Sequence, residues 1–207
     1  MTRLHFILSG GQPYDTGYIE WDDKRSEVVQ VIKKGDAVKH IIKGEKPPVE
    51  AEVCAAIDWE VRYRHMKMHT AQHILSGIIF DDYRARTVGN QIHADYSRVD
   101  FHPAKFSEKD LEDITAKFNE IVSQNLPITI YEEERESLEK RVDSQRSNLD
   151  LLPKFISKLR IVEIKDFDVC PCAGTHVKNT REIPPIKEIR RDTKGKDTDR
   201  IIYSLKE

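Results

Sequence analysis

Two short segments carry side chains whose types and spacing suit a metal: His69-Thr-Ala-Gln-His73 and Cys172-Ala-Gly-Thr-His176. Together they offer three imidazoles and one thiolate, a donor set that favours zinc. Residues four apart on a helix lie one above the other, so His69 and His73 can address one ion. HxxxH by itself is more often two ordinary histidines on an amphipathic helix; the matching Cys-x3-His turns the pair into a predicted site. The segments lie about a hundred residues apart, so only a folded chain can join them. Cys170 is a second thiol close enough in sequence to compete with Cys172. A third segment, Ser9-Gly10-Gly11-Gln12-Pro13, sets an amide after two glycines. Adjacent glycines permit unusual backbone geometry and close approach, and a glutamine presents both a donor and an acceptor. On its own this segment reads as a tight turn between strands.

The element that must hold the histidines is a helix over residues 61–83. Proline is absent there, and Ala71, Leu75, Ile78 and Ile79 make an apolar stripe. The opposite stripe, Met66, His69, His73, Ser76, Gly77 and Phe80, includes small residues that admit a metal or a substrate. Ahead of the helix the chain reads as β-rich. Residues 27–32 and 37–42 are β-branched runs around a Lys33–Asp36 turn, and residues 49–59 alternate. Behind it, residues 87–101 predict a strand pair. Ser107 caps a helix whose stripe is Leu111, Ile114, Phe118, Ile121 and Val122, stopped at Pro127. Residues 128–131 read as a strand, and the charged residues 132–146 as partly helical. Residues 159–164 predict a strand feeding the cysteine loop. Residues 186–191 and 200–205 predict a hairpin around Lys194-Gly195-Lys196. The expected fold class is α+β. Residues 1–58 form a small β-barrel-like or open β domain, and residues 59–207 an α/β domain that carries the metal.

Hydrophobic residues at 38% and charged residues at 34% fit a soluble chain able to bury a core. The apolar runs are too short to span a membrane, and the N-terminus lacks a signal-peptide pattern. Three cysteines make no disulfide framework, so a reducing cytoplasm is expected. The net charge of −2 argues against indiscriminate nucleic-acid binding. Its distribution is uneven: residues 178–207 hold nine Lys/Arg against six Asp/Glu, with Arg190, Arg191, Lys194, Lys196 and Arg200 on the hairpin. Arg62, Arg64 and Lys67 open the histidine helix. Such clusters suit phosphates, although charge considered by itself favours a salt-bridged surface.

Taken together, the three segments resemble the alanyl-tRNA editing proteins of the AlaX type and the related editing domain of alanyl-tRNA synthetase. That family's marks are a glycine motif like Ser9-Gly-Gly-Gln12, HxxxH as in His69–His73, and CxGTHV as in Cys172-Ala-Gly-Thr-His-Val177. Asp58-Trp-Glu60 and Asn179-Thr-Arg-Glu-Ile183, followed by Ile186-Lys187, are similar too. The resemblance covers nearly the whole chain, and a glycine motif ahead of the metal domain resembles the longer AlaX form. There are departures. The family has a strand or two and a substrate-contacting threonine ahead of the glycine motif, whereas this chain starts almost at it. Thr2 falls one residue out of register and Arg3 aligns instead. Ala173 stands where glycine is common, and Pro184-Pro185 replaces a more usual glycine.

The resemblance implies a two-layer editing domain of the threonyl/alanyl-tRNA synthetase type. It implies hydrolysis of the ester joining serine, with glycine as the lesser candidate, to alanine tRNA. Synthetase pockets separate such side chains by only about 1–3 kcal/mol, so a second, hydrolytic site supplies the missing discrimination. His69, His73, Cys172 and His176 are the implied zinc ligands and catalytic residues. Gly10, Gly11 and Gln12 are the implied substrate-binding residues, with Gln12 orienting the ester or the terminal adenosine. Zinc lowers the pKa of water toward about 7. Four protein ligands normally close a site, so one is expected to yield, and His176 is the expected one. His93 and Asp100 are expected in core or surface roles, and His5, His40, His65 and His102 have no partner spacing. Three rival readings stand beside this one. A zinc peptidase needs glutamate after the first histidine, where Thr70 stands. A non-catalytic, zinc-stabilised RNA-binding module would use all four ligands structurally. The editing domain of threonyl-tRNA synthetase, acting on serine-charged threonine tRNA, shares both ligand pairs; the glycine motif and Thr-His-Val favour the alanine system.

Overall fold

A computed structural model of the protein describes residues 9–35 and 37–207. The Thr2/Arg3 register and His5 lie outside the described residues, as does Asp36 of the predicted turn.

Four strands come first: β1 (Gly17–Trp21), β2 (Lys24–Lys34), β3 (Ala37–Lys43) and β4 (Cys54–Ile57). They form an antiparallel sheet in the order β3-β2-β1-β4. Along β2 the buried residues run Ser26 and Val28, then Val31, because a register shift against β3 between Val28 and Gln30 changes the alternation. Ile19, Trp21, Val28 and Val31 make the sheet's own apolar cluster. Among the described residues the edge strands β3 and β4 do not pair, so of the two expectations for the front end, barrel-like or open, the described strands form the open sheet.

The histidine helix α1 spans Trp59–Tyr83, and Asp58 caps it by accepting from the Val61 N–H at 3.3 Å. It ends at Arg84 in left-handed backbone. Both of its stripes are buried between Met68 and Phe80, so it is covered on both sides. One side meets β5 (Arg86–Ile92), β6 (Ser97–His102) and α2 (Glu108–Ser123). With β10 (Ile186–Gly195) and β11 (Thr198–Leu205) these strands form an antiparallel sheet in the order β10-β11-β6-β5. Ser107 and Asp110 form a reciprocal capping box on α2, and the predicted stripe from Leu111 to Val122 is its buried face. Ile74 and Ile78, Phe118, Val99, Phe101 and Ile201 share the main core.

A third sheet, in the order β7-β8-β9, comprises β7 (Ile128–Glu134), β8 (Lys158–Ile164) and β9 (Asp168–Pro171). Strand β8 is buried on both faces. Val162 and Ile164 join the main core, while Leu159 and Ile161 pack with Leu138 and Leu149. The expected helix after residue 132 shrinks to α3 (Arg135–Glu139) because β7 extends further to pair with β8. Buried Arg135 donates to the carbonyls of Pro153 and Ile156, both at 2.9 Å, and so pins the following loop. Strand β9 ends one residue before Cys172, which fixes where the thiol emerges. Among the described residues no helix is long and apolar enough to cross a membrane.

Candidate metal centre

Helix α1 supplies His69 and His73 one turn apart, and the loop after β9 supplies Cys172 and His176. Their four donor atoms lie within 4.8 Å of one another. Cys172 Sγ is 3.5 Å from His69 Nε2 and 3.4 Å from His176 Nε2. All four predicted ligands are therefore brought together. Cys170 stands apart from the group: its Sγ faces the Ser147 carbonyl at 3.6 Å, and burial pushes its thiol well up.

Each imidazole is oriented from its far nitrogen. Gln12 Oε1 accepts from the Thr175 N–H at 3.0 Å, so it is an acceptor, and His69 Nδ1 at 2.9 Å is its second donor. Thr70 donates its hydroxyl to the Met66 carbonyl at 2.8 Å, so it accepts from His176 Nδ1 at 3.2 Å. His73 Nδ1 faces Asp168 Oδ2 at 3.5 Å. With the Nδ1 positions engaged, Nε2 is left to each ring for an ion, the usual arrangement behind a metal-bound histidine. These tautomers follow from the partners.

The charges agree with that reading. Burial holds His69 and His176 below the ordinary histidine range, His176 down to about 3. Both rings are thus neutral, with free lone pairs. Burial also acts to raise the Cys172 thiol, but the three imidazoles around its sulfur, His176, His69 and His73, outweigh it and hold it well below its usual range. His73 is the exception: against the effect of burial, Asp168 and the Cys172 sulfur push it up to about 10.

The glycines are explained by what touches them. Gly10 is left-handed at φ +61°, and a Cβ there would lie 3.3 Å from His69 Cε1. Gly11, at φ +77°, would set a Cβ 2.3 Å from Asn90 Oδ1. The loop is tied down by the Ile92 N–H on the Gly11 carbonyl at 2.8 Å and the Asn90 amide on the Gly10 carbonyl at 3.1 Å. Gln12, expected to orient substrate, is fully buried behind His69 and also donates to Thr175 Oγ1 at 2.7 Å. It holds His69 and the 172–176 loop and is not part of the cleft wall.

A cleft of about 410 Å³ opens on the group, and Gly10, His69, His73, Cys172 and Ala173 are part of its wall. A hydrogen-bonded row continues that wall: Asn90 to Gln72 at 3.1 Å, Gln72 to Ser76 at 2.8 Å, Ser76 to Thr87 at 2.7 Å. Asp168 lies in the wall too, backed by Arg146 Nε at 3.4 Å. Sequence reasoning missed Thr70, Gln72, Asn90 and Asp168. Gln72 and Ser76 had a signal, since they follow His69 by three and seven on the ligand face. Thr70 and Asp168 had none. His93 stacks on Tyr96, and Asp100 pairs with Arg200, so neither belongs to the cleft. His102 faces the Asp197 carbonyl.

Residues 159–202 match the family model described as the threonyl and alanyl tRNA synthetase second additional domain. The chain is 36% identical to the alanyl-tRNA editing protein AlaX-M of Methanosarcina barkeri, over 95% of this chain and 84% of that one. It is 37% identical to AlaX-L of Pyrococcus horikoshii, over 97% of this chain and 49% of that protein. It is 33% identical to the alanine–tRNA ligase of Thermococcus kodakarensis, over 96% of this chain and 22% of that enzyme.

Proposed function

The chain belongs to the alanyl-tRNA editing proteins, and from that membership we propose that it is a cytoplasmic, zinc-dependent deacylase acting in trans. Its substrate would be alanine tRNA carrying serine, with glycine as the lesser substrate, and its reaction hydrolysis of the aminoacyl ester without ATP. The observation that carries this reading is the four converging donor atoms at the head of a cleft. The donor set suits zinc: ordinary Zn–S and Zn–N lengths at a tetrahedral ion hold sulfur and nitrogen about 3.5 Å apart, matching the 3.4 and 3.5 Å found around Cys172. We read residues 1–58 and 59–207 as two domains, the second a two-layer editing domain; the separate apolar cluster of the first sheet supports the division.

His69, His73, Cys172 and His176 would hold the ion. What zinc supplies at such donors is Lewis acidity, which polarises a carbonyl and lowers the pKa of water toward about 7. The protein's own part is positioning. Gln12, Thr70 and Asp168 fix the three rings, so the donors need not reorganise. His176 rests on a hydroxyl that Val177 N–H also uses, a weaker acceptor than the Gln12 carbonyl or the Asp168 carboxylate. That favours His176 as the ligand that yields a position. Gln72, Ser76, Thr87 and Asn90 offer donors and acceptors for the terminal ribose beside the ester. The glycines let His69 lie against the Gly10 backbone without a side chain between.

The test is deacylation of alanine tRNA charged separately with serine, glycine and alanine, with Cys172→Ala alongside and metal content measured on both. Loss of serine with alanine retained, and an inactive variant, is expected. No hydrolysis by metal-loaded, tRNA-binding protein would leave a structural zinc module instead.

A further inference from the structure

A chain of net charge −2 that binds RNA must do so through a local surface, because its overall field repels a polyanion. Ion pairing removes most candidates. On the β10–β11 hairpin, Arg190, Arg191 and Arg200 face Asp192, Asp199 and Asp100. Arg62 is committed to buried Asp15. Among the described residues Lys194 and Lys196 at the hairpin tip also meet no carboxylate, but they line neither the cleft nor a groove beside it; one cationic surface that escapes this neutralisation does adjoin the cleft.

A groove of about 530 Å³ lies between the start of α1, the β5–β6 turn, the start of β10 and the end of β11. Arg64, Lys67, Lys187 and Lys206 line it against Asp95 and Glu207. Arg64 reaches Asp95 only at 3.6 Å, with both side chains mostly in solvent, a pairing of little strength. Lys67, Lys187 and Lys206 meet no carboxylate among the described residues. Aromatic rings flank the cations. Trp59, 55% exposed, stacks on Tyr63 at 5.8 Å, and Lys67 Nζ sits 4.9 Å from the Tyr63 ring. The three form an i, i+4, i+8 stripe on α1. At the β5–β6 turn Tyr96, 47% exposed, stacks on His93 at 4.6 Å. Exposed, pre-stacked rings beside free cations are what surfaces for unpaired bases and their phosphates are made of. The groove also adjoins the chemistry: Met68 lines the groove and His69 the cleft, so α1 is a wall of both.

We propose that this groove docks the RNA strand leading to the ester, with phosphates on Arg64, Lys67, Lys187 and Lys206 and exposed bases on Trp59 and Tyr96. The assignment rests on the reading of a tRNA substrate, and the test keeps the two separate. Binding of uncharged alanine tRNA to the metal-loaded full chain is measured against salt concentration. The proteins are wild type, Lys67→Glu/Lys187→Glu, Trp59→Ala, and the hairpin pair Lys194→Glu/Lys196→Glu. The groove pair is expected to weaken binding at least about tenfold and to flatten the slope of log K against log salt by about 0.7–0.9 for each phosphate no longer neutralised. Trp59→Ala weakens binding about fivefold or more with its slope unchanged. The hairpin pair leaves both quantities alone, and unchanged metal content in every variant reports an intact fold. An unaltered slope in the groove pair, a loss in the hairpin pair instead, or no binding by wild type overturns the proposal. Serine release is followed separately. If wild type hydrolyses nothing while the groove pair still flattens the slope, the groove stands and the deacylase reading falls.

Discussion

At the residue scale, the arrangement of the His/Cys group depends on groups outside it. Gly174 has the least freedom: a Cβ there would lie 2.0 Å from His69 Cε1 and 2.3 Å from its Nδ1. Gly174→Ala must therefore displace the ring, break its bond to Gln12 and pull Nε2 off the thiolate. Asp168→Asn is gentler. It keeps the shape but removes the charge that faces His73, and losses of such outer partners typically weaken metal binding about 10–100-fold. Zinc affinities from chelator competition should rank wild type, then Asp168→Asn, then Gly174→Ala. An alanine variant that binds zinc as wild type does would show that the 172–176 loop is not the rigid support described above.

At the element scale, legibility followed the range of the cause. Helix α1 could be read because its apolar period and proline-free run are local, and α2 because Ser107 and its stripe are written in consecutive turns. The convergence of His69, His73, Cys172 and His176 was legible because their spacing is helical or tightly looped. Gln12's role was not, because it depends on which side of His69 the glycine loop enters, a tertiary fact. Residues 132–134 were misread because pairing with β8 overrides their local charge pattern. Paired strands carry another effect that composition hides: Asp100 and Arg200 are directly opposed on β6 and β11 and make two hydrogen bonds, at 2.6 and 2.8 Å. Hydrogen bonding to Arg200, with its charge, holds the Asp100 carboxyl below its usual range despite partial burial. A depressed carboxylate contributes stability above its unfolded pKa of about 3.9 and loses it as pH falls through the lower folded value. Asp100→Asn should thus cost about 1 kcal/mol at pH 7. Its denaturation midpoint should converge with wild type as pH falls below the usual carboxylate range and through the lower folded value; a gap that persists once the carboxyl is protonated would point to shape, not charge.

At the scale of the whole molecule, the His/Cys group draws on segments near both ends of the chain, and one buried ion pair fastens the first of these, the glycine segment, to helix α1. Arg62, on the first turn of α1, donates Nε to Asp15 Oδ1 at 2.8 Å and Nη2 to its other oxygen. The Asp15 side chain is 1% exposed. Beside it, the Asp58 N–H bonds the Thr16 carbonyl at 2.8 Å, so the segment that carries Gln12 is tied to the start of the histidine helix. Removing one partner of such a pair leaves a desolvated charge and costs about 3–5 kcal/mol, far more than forming the pair gains. Arg62→Ala should lower stability by that order in urea unfolding. It should also weaken zinc binding, because the segment that carries Gln12 loses its bidentate tie to the start of α1, loosening the hold on His69 Nδ1. A hydrophobic replacement of both partners, Arg62→Met with Asp15→Leu, removes both buried charges together while keeping the packing. It should recover most of the stability and, with it, the metal affinity. If the double variant regains stability but not zinc affinity, then the pair sets the register of the glycine segment beyond holding it in place. If Arg62→Ala unfolds earlier yet binds zinc normally, the glycine segment is held by Thr175 and Asn90 without help from the front of the helix.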